Sequence, residues 1–158
     1  LSRYAPDMRI KWPNDLLCHG AKVAGILTEM RAEPGRVHAV VLGFGINLKA
    51  PVNGWPADIT QKVTDLESES YQRLSKLEVA ASVLNALDHW YDIYLNDGFA
   101  PVHAAWWRAH AASGDQVRVH HGNGYIEGIA TALDDDGALL LQTSCGLQRI
   151  IAGDLELL

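Results

Sequence analysis

The sequence is poor in several features that would narrow its function at once. Its two cysteines, Cys18 and Cys145, stand far apart and in no Cys-x-x-Cys arrangement, which excludes a disulfide scaffold and suits a reducing compartment. No apolar run approaches the length of a membrane-spanning helix, and no charged-then-apolar leader precedes the first elements, so a cytoplasmic protein without a membrane span is expected. There is no proline-, serine- or glutamine-rich tract and no solenoid-length repeat. Basic excess is also lacking. The net charge is −6; residues 1–112 carry 11 Lys/Arg against 12 Asp/Glu, whereas 113–158 carry only Arg118 and Arg149 against seven acids. Such an acidic segment offers no patch for a phosphate backbone, and nucleic-acid binding through it is not expected. Walker, His-Glu-x-x-His and Gly-x-Ser-x-Gly motifs are all missing, which removes P-loop, zincin and serine-hydrolase readings. The seven histidines include the adjacent pair His120-His121 and the helical pair His103 and His110, yet no ligand triplet accompanies them and no metal site is expected.

What is present is enough for a real core: 158 residues, 48% of them hydrophobic, make one or two small globular domains. The informative stretch is Arg9-Ile-Lys-Trp-Pro-Asn-Asp-Leu-Leu, followed by Lys22-Val-Ala-Gly-Ile-Leu-Thr-Glu29. Lys11, Asn14, Asp15 and Lys22 are polar groups set among β-branched and aromatic residues, where a plain amphipathic strand would carry its charges on one solvent face only. Pro13-Asn14-Asp15 has turn chemistry between strands at Met8–Trp12 and Leu16–Cys18. A second turn at His19-Gly20 returns the chain as Lys22–Glu29, so the Asp15 carboxylate and the Lys22 ammonium are expected to face one pocket. On spacing alone an ordinary strand-edge salt bridge explains the pair as well.

Glu33-Pro-Gly-Arg36 reads as a turn, and Val37–Leu42 as a short buried strand ending in Gly43-Phe-Gly45-Ile-Asn47. A Gly-x-Gly after a strand invites a dinucleotide reading, but Leu48 replaces the third glycine and no helix pattern opens there. Glycines at 43 and 45 instead let a ligand approach the backbone, or mark a β-bulge. Lys49–Ser70 reads as irregular, with Trp55 either packed as a lid or presenting its ring to a flat ligand. Ser75-Lys-Leu-Glu78 is a capping box, and Leu77, Ala80, Ala81, Leu84, Leu87, Tyr91, Tyr94 and Leu95 recur at helical spacing, which predicts a helix to Asn96 with that stripe in the core. Pro101 is expected to open a second, shorter helix that ends at Ser113-Gly114. From Asp115 the period becomes that of strands; turns at 122–124, 134–137 and 144–146 predict five short strands in a small barrel, with Val117, Val119, Ile129, Leu139 and Leu141 directed inward.

The three blocks Lys11-Trp-Pro-Asn-Asp15, Lys22-Val-Ala-Gly-Ile-Leu-Thr-Glu29 and Gly43-Phe-Gly-Ile-Asn47 resemble, in order and spacing, the catalytic core of the biotin protein ligases, the biotin–[acetyl-CoA-carboxylase] ligase family. The resemblance continues more loosely to the C-terminus. It implies an α+β fold: a partial mixed or antiparallel sheet with helices, similar to class II aminoacyl-tRNA synthetases and biotin ligases, followed by an SH3-like β-barrel. Residues 1–112 are then expected to be the C-terminal portion of a catalytic domain, N-terminally truncated, with 113–158 as the barrel. The family's Gly/Arg-rich nucleotide loop, of the form GRGRxGR, and its biotin-ring residues are absent from the sequence.

The resemblance also implies a reaction, in which biotin and ATP give biotinyl-adenylate, and the biotinyl group passes to a lysine of the biotin carboxyl carrier protein of acetyl-CoA carboxylase. Lys22 matches the family lysine that stabilises adenylation, and Asp15 the aspartate beside the adenylate. Lys11, Asn14, Gly25, Leu27, Gly43, Gly45, Asn47 and Trp55 are implied to contact substrate, with Lys11 also open to a structural role and Trp55 placed over adenine. Magnesium is implied with ATP, although the sequence names no ligand for it. A homodimer is compatible with the family. Two other readings remain open on sequence alone: a lipoate–protein ligase-like enzyme, and a non-catalytic folded module.

Overall fold

The computed structural model describes residues 1–59, 61–122 and 124–158. The chain divides into two compact units, one formed by Leu1, Arg9–Pro13 and Ser75–Leu158, the other by Ser2–Met8 and Asn14–Leu74. Strand β1 (Met8–Lys11) passes from one to the other, and the Trp12–Pro13 peptide bond that follows is cis.

In the unit formed by Ser2–Met8 and Asn14–Leu74, strands β2 (Asp15–Cys18), β3 (Ala21–Glu33) and β4 (Arg36–Ile46) make an antiparallel meander. Its two hairpins turn at His19-Gly20 and at Pro34-Gly35; His19 and Gly20 both have positive φ, as a type I′ turn requires, whereas the fixed negative φ of Pro34 followed by Gly35 at φ of 80° is the type II pattern. Leu17, Cys18 and Val23 are buried with Leu66. Leu66 opens a short helix, α1 (Leu66–Ser70), capped by Asp65, whose Oδ1 accepts from Ser68 N–H at 3.0 Å. The irregular reading of Lys49–Ser70 therefore misses α1: five residues are too few for a periodic signal, and only the cap announces it. β4 corrects a second expectation. Val37, Val40, Val41 and Leu42 are exposed rather than buried, because β4 is the outermost strand of its sheet and neither face is covered among the described residues. An apolar run cannot by itself report whether its faces are covered.

The other unit holds two helices and the barrel. Helix α2 (Lys76–Asp97) starts at Ser75, whose Oγ accepts from Glu78 N–H at 3.4 Å, and stops at Gly98, where φ is 78°. Helix α3 (Phe99–Ala109) begins two residues before Pro101 and ends at His110, short of the expected Ser113-Gly114. The stripe expected in the core is a correction: Leu77, Leu84, Tyr91, Tyr94 and Leu95 are exposed, whereas Val79 is the buried residue of α2. The helix carries more than one apolar line, and tertiary packing selects between them.

Strands β5 (Gln116–His121), β6 (Gly124–Leu133), β7 (Leu139–Thr143), β8 (Gly146–Ile150) and β9 (Asp154–Leu157) form one antiparallel sheet in the order β8-β7-β6-β5-β9. The turn expected at 122–124 lies partly outside the described residues, at 123. Val117, Val119, Ala130, Leu133, Leu139, Leu141, Ile150 and Leu155 cluster in the core with Trp12, and Trp106 and Trp107 of α3 pack against them. Ile129 does not join them. Val117 pairs with Gly128, so Ile129 falls opposite exposed Gln116 and faces outward, 41% exposed. Gly128 occupies the inward position because a Cβ there would lie 2.7 Å from the carbonyl oxygen of Gln142.

Trp12 anchors the Lys-Trp-Pro-Asn-Asp block in this core, its indole N–H directed at the Gly137 carbonyl at 3.4 Å. Beside it Lys11 is buried, with its ammonium 2.9 Å from Asp154 Oδ1. His110 Nδ1 bonds the Ile10 carbonyl at 2.9 Å, and its ring lies between Trp106 and Trp107, with centroids 4.9 and 5.3 Å away. Burial pushes the pKa of His110 below the ordinary histidine value.

Candidate functional site

The register of β2, β3 and β4 sets Asp15 opposite Gly25 and Gly25 opposite Gly45, with Ile26 opposite Phe44 and Leu27 opposite Gly43 in the next rows. Lys22 sits three residues before Gly25 on β3, and its side chain runs along the strand to reach the first of these rows. Its Nζ lies 2.7 Å from Asp15 Oδ1. The pair rests over Gly25, where an added Cβ would meet Lys22 Cε at 3.3 Å and Asp15 Oδ1 and Lys22 Nζ at 3.4 Å. Glycine leaves room above its Cα for the two side-chain ends. Asn14, Asp15, Lys22, Gly25, Ile26, Leu27, Gly43, Phe44 and Gly45 line an open cavity of about 480 Å³. The Asp15 carboxylate is 9% exposed and the lysine side chain 28%, so the cation remains the accessible end.

The backbone of Lys22 is held from both sides. Its N–H donates to the Lys62 carbonyl at 2.8 Å, and its own carbonyl accepts from Thr64 N–H at 2.9 Å. Asn47 closes this clamp: its Nδ2 donates to Thr64 O at 3.0 Å and to Lys22 O at 3.4 Å, while its backbone N–H donates to Val23 O at 2.9 Å. Asn14 braces the other wall, its Nδ2 donating to Ile26 O at 2.7 Å and its carbonyl accepting from Ile26 N–H at 2.9 Å. Both asparagines therefore spend their amide groups on backbone, which fixes the strand ends around the ion pair.

Of the residues singled out from sequence, Lys22, Asp15, Asn14, Gly25, Leu27, Gly43 and Gly45 converge on the cavity. Asn47 stands behind it, in the clamp. Lys11 is engaged with Asp154 and Trp55 is half-buried in its loop; neither lines the cavity. Ile26 and Phe44 line it without having been expected. Strand alternation does not single them out, because it sets positions 26 and 44 out of phase with the glycines at 25, 43 and 45. Cys18 is no competing nucleophile, since burial and then Glu69 push its thiol up to about 11, leaving it protonated at neutral pH.

Residues 5–47 match the Biotin/lipoate A/B protein ligase family, and residues 112–158 match the Biotin protein ligase C terminal domain. The chain is 36% identical over 148 residues to the bifunctional ligase/repressor BirA of Bacillus subtilis, covering 94% of this chain and 46% of that protein. It is 34% identical over 152 residues to a biotin–[acetyl-CoA-carboxylase] ligase of Paracoccus denitrificans, covering 96% and 63% respectively. In fold it is similar to the apo biotin protein ligase of Aquifex aeolicus, with a TM-score of 0.79 at 24% identity over 96% of this chain and 65% of that one. A structure of the Aquifex enzyme in complex with biotin and ATP gives a TM-score of 0.76. The chain thus spans about half to two thirds of the length of these relatives. With two family models on the sheet and barrel segments, and relatives at about this identity along nearly all of its length, the chain belongs to the biotin protein ligase family.

Proposed function

We propose that this chain carries the carboxylate-activating centre of an ATP-dependent biotin–protein ligase. The observation that supports it most directly is the Lys22–Asp15 pair, 2.7 Å apart over Gly25 in an open cavity of about 480 Å³. In the first step a biotin carboxylate oxygen attacks the α-phosphorus of ATP; the bond to the bridging oxygen breaks and pyrophosphate leaves. Two anions must meet, and at an effective dielectric of about 20 unit charges ~4 Å apart repel by about 4 kcal/mol. The Lys22 ammonium offsets that repulsion and favours the charge that develops on the phosphate oxygens. In the second step a lysine amine of the carrier protein attacks the acyl carbon and AMP leaves. Asp15 orients the amine and accepts its proton, because an alkyl ammonium must be deprotonated before it attacks.

Gly25, Gly43 and Gly45 leave room for the ligand along the strands, Leu27, Ile26 and Phe44 supply apolar wall, and Asn14 and Asn47 hold the frame. Lys11 acts through structure, tying its end of the motif to the barrel. Magnesium would enter with the nucleotide. Among the described residues the cavity's one carboxylate already faces an ammonium, so the residues here do not form an oxygen cage for the ion, and no step is routed through it. The carrier is the biotin carboxyl carrier protein of acetyl-CoA carboxylase, the compartment is the cytoplasm, and a second copy of the chain is the proposed assembly partner.

The test is biotin-dependent exchange of pyrophosphate into ATP, run on this chain and on the protein extended to its relatives' length, with lipoate as the competing acid. Lys22→Ala in the longer protein should lose at least about 100-fold in exchange, the scale set by losing one well-placed electrostatic group. The fold should survive with a lowered thermal midpoint, since the variant takes away the counter-ion of the buried Asp15 carboxylate. Parental exchange in Lys22→Ala would remove the assignment. Exchange driven by lipoate but not biotin would move it to the other branch of the matched family.

A further inference from the structure

A second constellation of donor atoms lies at the tip of the β2–β3 hairpin and uses none of the cavity residues. Cys18 Sγ is 3.5 Å from Glu69 Oε2, and His19 Nε2 is 3.7 Å from the same oxygen. One atom from each of the three residues lies within 4.8 Å of the others. A tetrahedral Zn²⁺ with bonds of ~2.0–2.3 Å sets its N, O and S ligands roughly 3.3–3.6 Å apart, so two edges of such a tetrahedron are nearly in place.

His19 and Glu69 each have an orienting partner. His19 Nδ1 lies 3.0 Å from Asp7 Oδ2, which turns Nε2 toward Glu69. The second oxygen of Glu69 accepts from Thr64 Oγ1 at 2.6 Å. Carboxylate behind imidazole and hydroxyl behind carboxylate are the outer contacts that metal ligands ordinarily have. Cys18 is 1% exposed while the His19 side chain is 66% exposed, giving the cluster a dry side and an open one. His19 sits in the left-handed region, with φ of 48°, a conformation that histidine tolerates better than most residues and that the two-residue turn requires.

We propose that Cys18, His19 and Glu69 form a site for a borderline-soft divalent transition-metal ion of the Zn²⁺ class, with a fourth position open to water. The thiol excludes Mg²⁺ and Ca²⁺, which take oxygen ligands. On binding, the thiol proton passes to bulk water and the thiolate coordinates. The site joins the hairpin tip to α1, and the segment leading into α1 is bonded to the active lysine through Thr64 N–H to Lys22 O. A bound ion therefore braces the frame that holds Lys22.

The test is titration of the 158-residue chain with Co²⁺, followed by thiolate-to-cobalt charge-transfer absorption, with Zn²⁺ then added to displace the cobalt. A single equivalent should saturate the band, and Zn²⁺ should raise the thermal midpoint of the chain. Cys145→Ser should keep the band and Cys18→Ser should abolish it. His19→Asn preserves the turn, because asparagine tolerates the left-handed region, and should weaken Co²⁺ binding by about tenfold or more. Absence of a charge-transfer band overturns the proposal, as does a band that depends on Cys145. If Cys18→Ser does not fold, an unchanged Co²⁺ affinity in His19→Asn is sufficient to overturn it.

Discussion

Adding a single methyl group at Gly25 probes the ion pair without touching either charge. In Gly25→Ala the new Cβ would lie 3.3 Å from Lys22 Cε, closer than the ~3.5–4.0 Å of ordinary carbon contacts, and in plain contact with Lys22 Nζ and Asp15 Oδ1 at 3.4 Å. These atoms are the ends of side chains, and they can yield by a few tenths of an ångström. Both strands should therefore survive, with a stability change within about 1 kcal/mol. The ammonium should not keep its place. A retreat of the ammonium by about 0.5 Å from an anion that it touches at about 2.7 Å lowers their attraction by roughly 1 kcal/mol at an effective dielectric near 20, about a fivefold factor in rate for the anion the lysine serves. The assay is pyrophosphate exchange on the protein extended to its relatives' length, paired with a thermal melt. A variant with parental exchange and parental melting would refute the claim that Gly25 sets the position of the pair. Loss of the fold would instead show that the glycine serves the backbone.

Three further outcomes follow from the same geometry. Asn47→Asp should be worse for exchange than Asn47→Ala, since a carboxylate would face the Thr64 and Lys22 carbonyls that the amide now donates to; equal loss in both variants would show that the clamp is not electrostatic. His110 is neutral in the folded protein, with its Nε2 buried and without a partner among the described residues, and burial holds its pKa below the unfolded value of 6.5. The unfolded state thus takes up a proton that the native state refuses, so this contribution is complete above pH 6.5 and is lost as pH falls below it; the urea midpoint should drop on acidification in the parent and drop less in His110→Gln. Gly128→Ala should destabilise the barrel by more than about 1 kcal/mol, since its Cβ would meet backbone at 2.7 Å, and a parental melting curve would contradict the inward placement of that position.

What depends on neighbours along the chain is legible in the amino-acid sequence itself. Asp15 and Lys22 lie on adjoining strands of one hairpin, so two turn signals and an alternation are enough to bring them to one pocket. The Ser75 cap and the Gly98 stop bound α2 for the same reason: capping is decided within a turn of the helix end. The Asp134–Gly137 turn is local too, with Asp134 Oδ1 accepting from Asp136 N–H and Ala138 N–H, both at 2.9 Å. Tertiary structure alone decides what depends on distant partners. Lys11 finds Asp154, far along the chain, and Asn47 spends its amide on Thr64 and Lys22. Cys18 and His19 acquire a third donor only when α1 brings up Glu69, from a segment that reads as irregular. The exposed lines on α2 and β4 make the same point in energetic terms. Periodicity states that a face is apolar, but whether it is buried depends on what the rest of the fold lays against it.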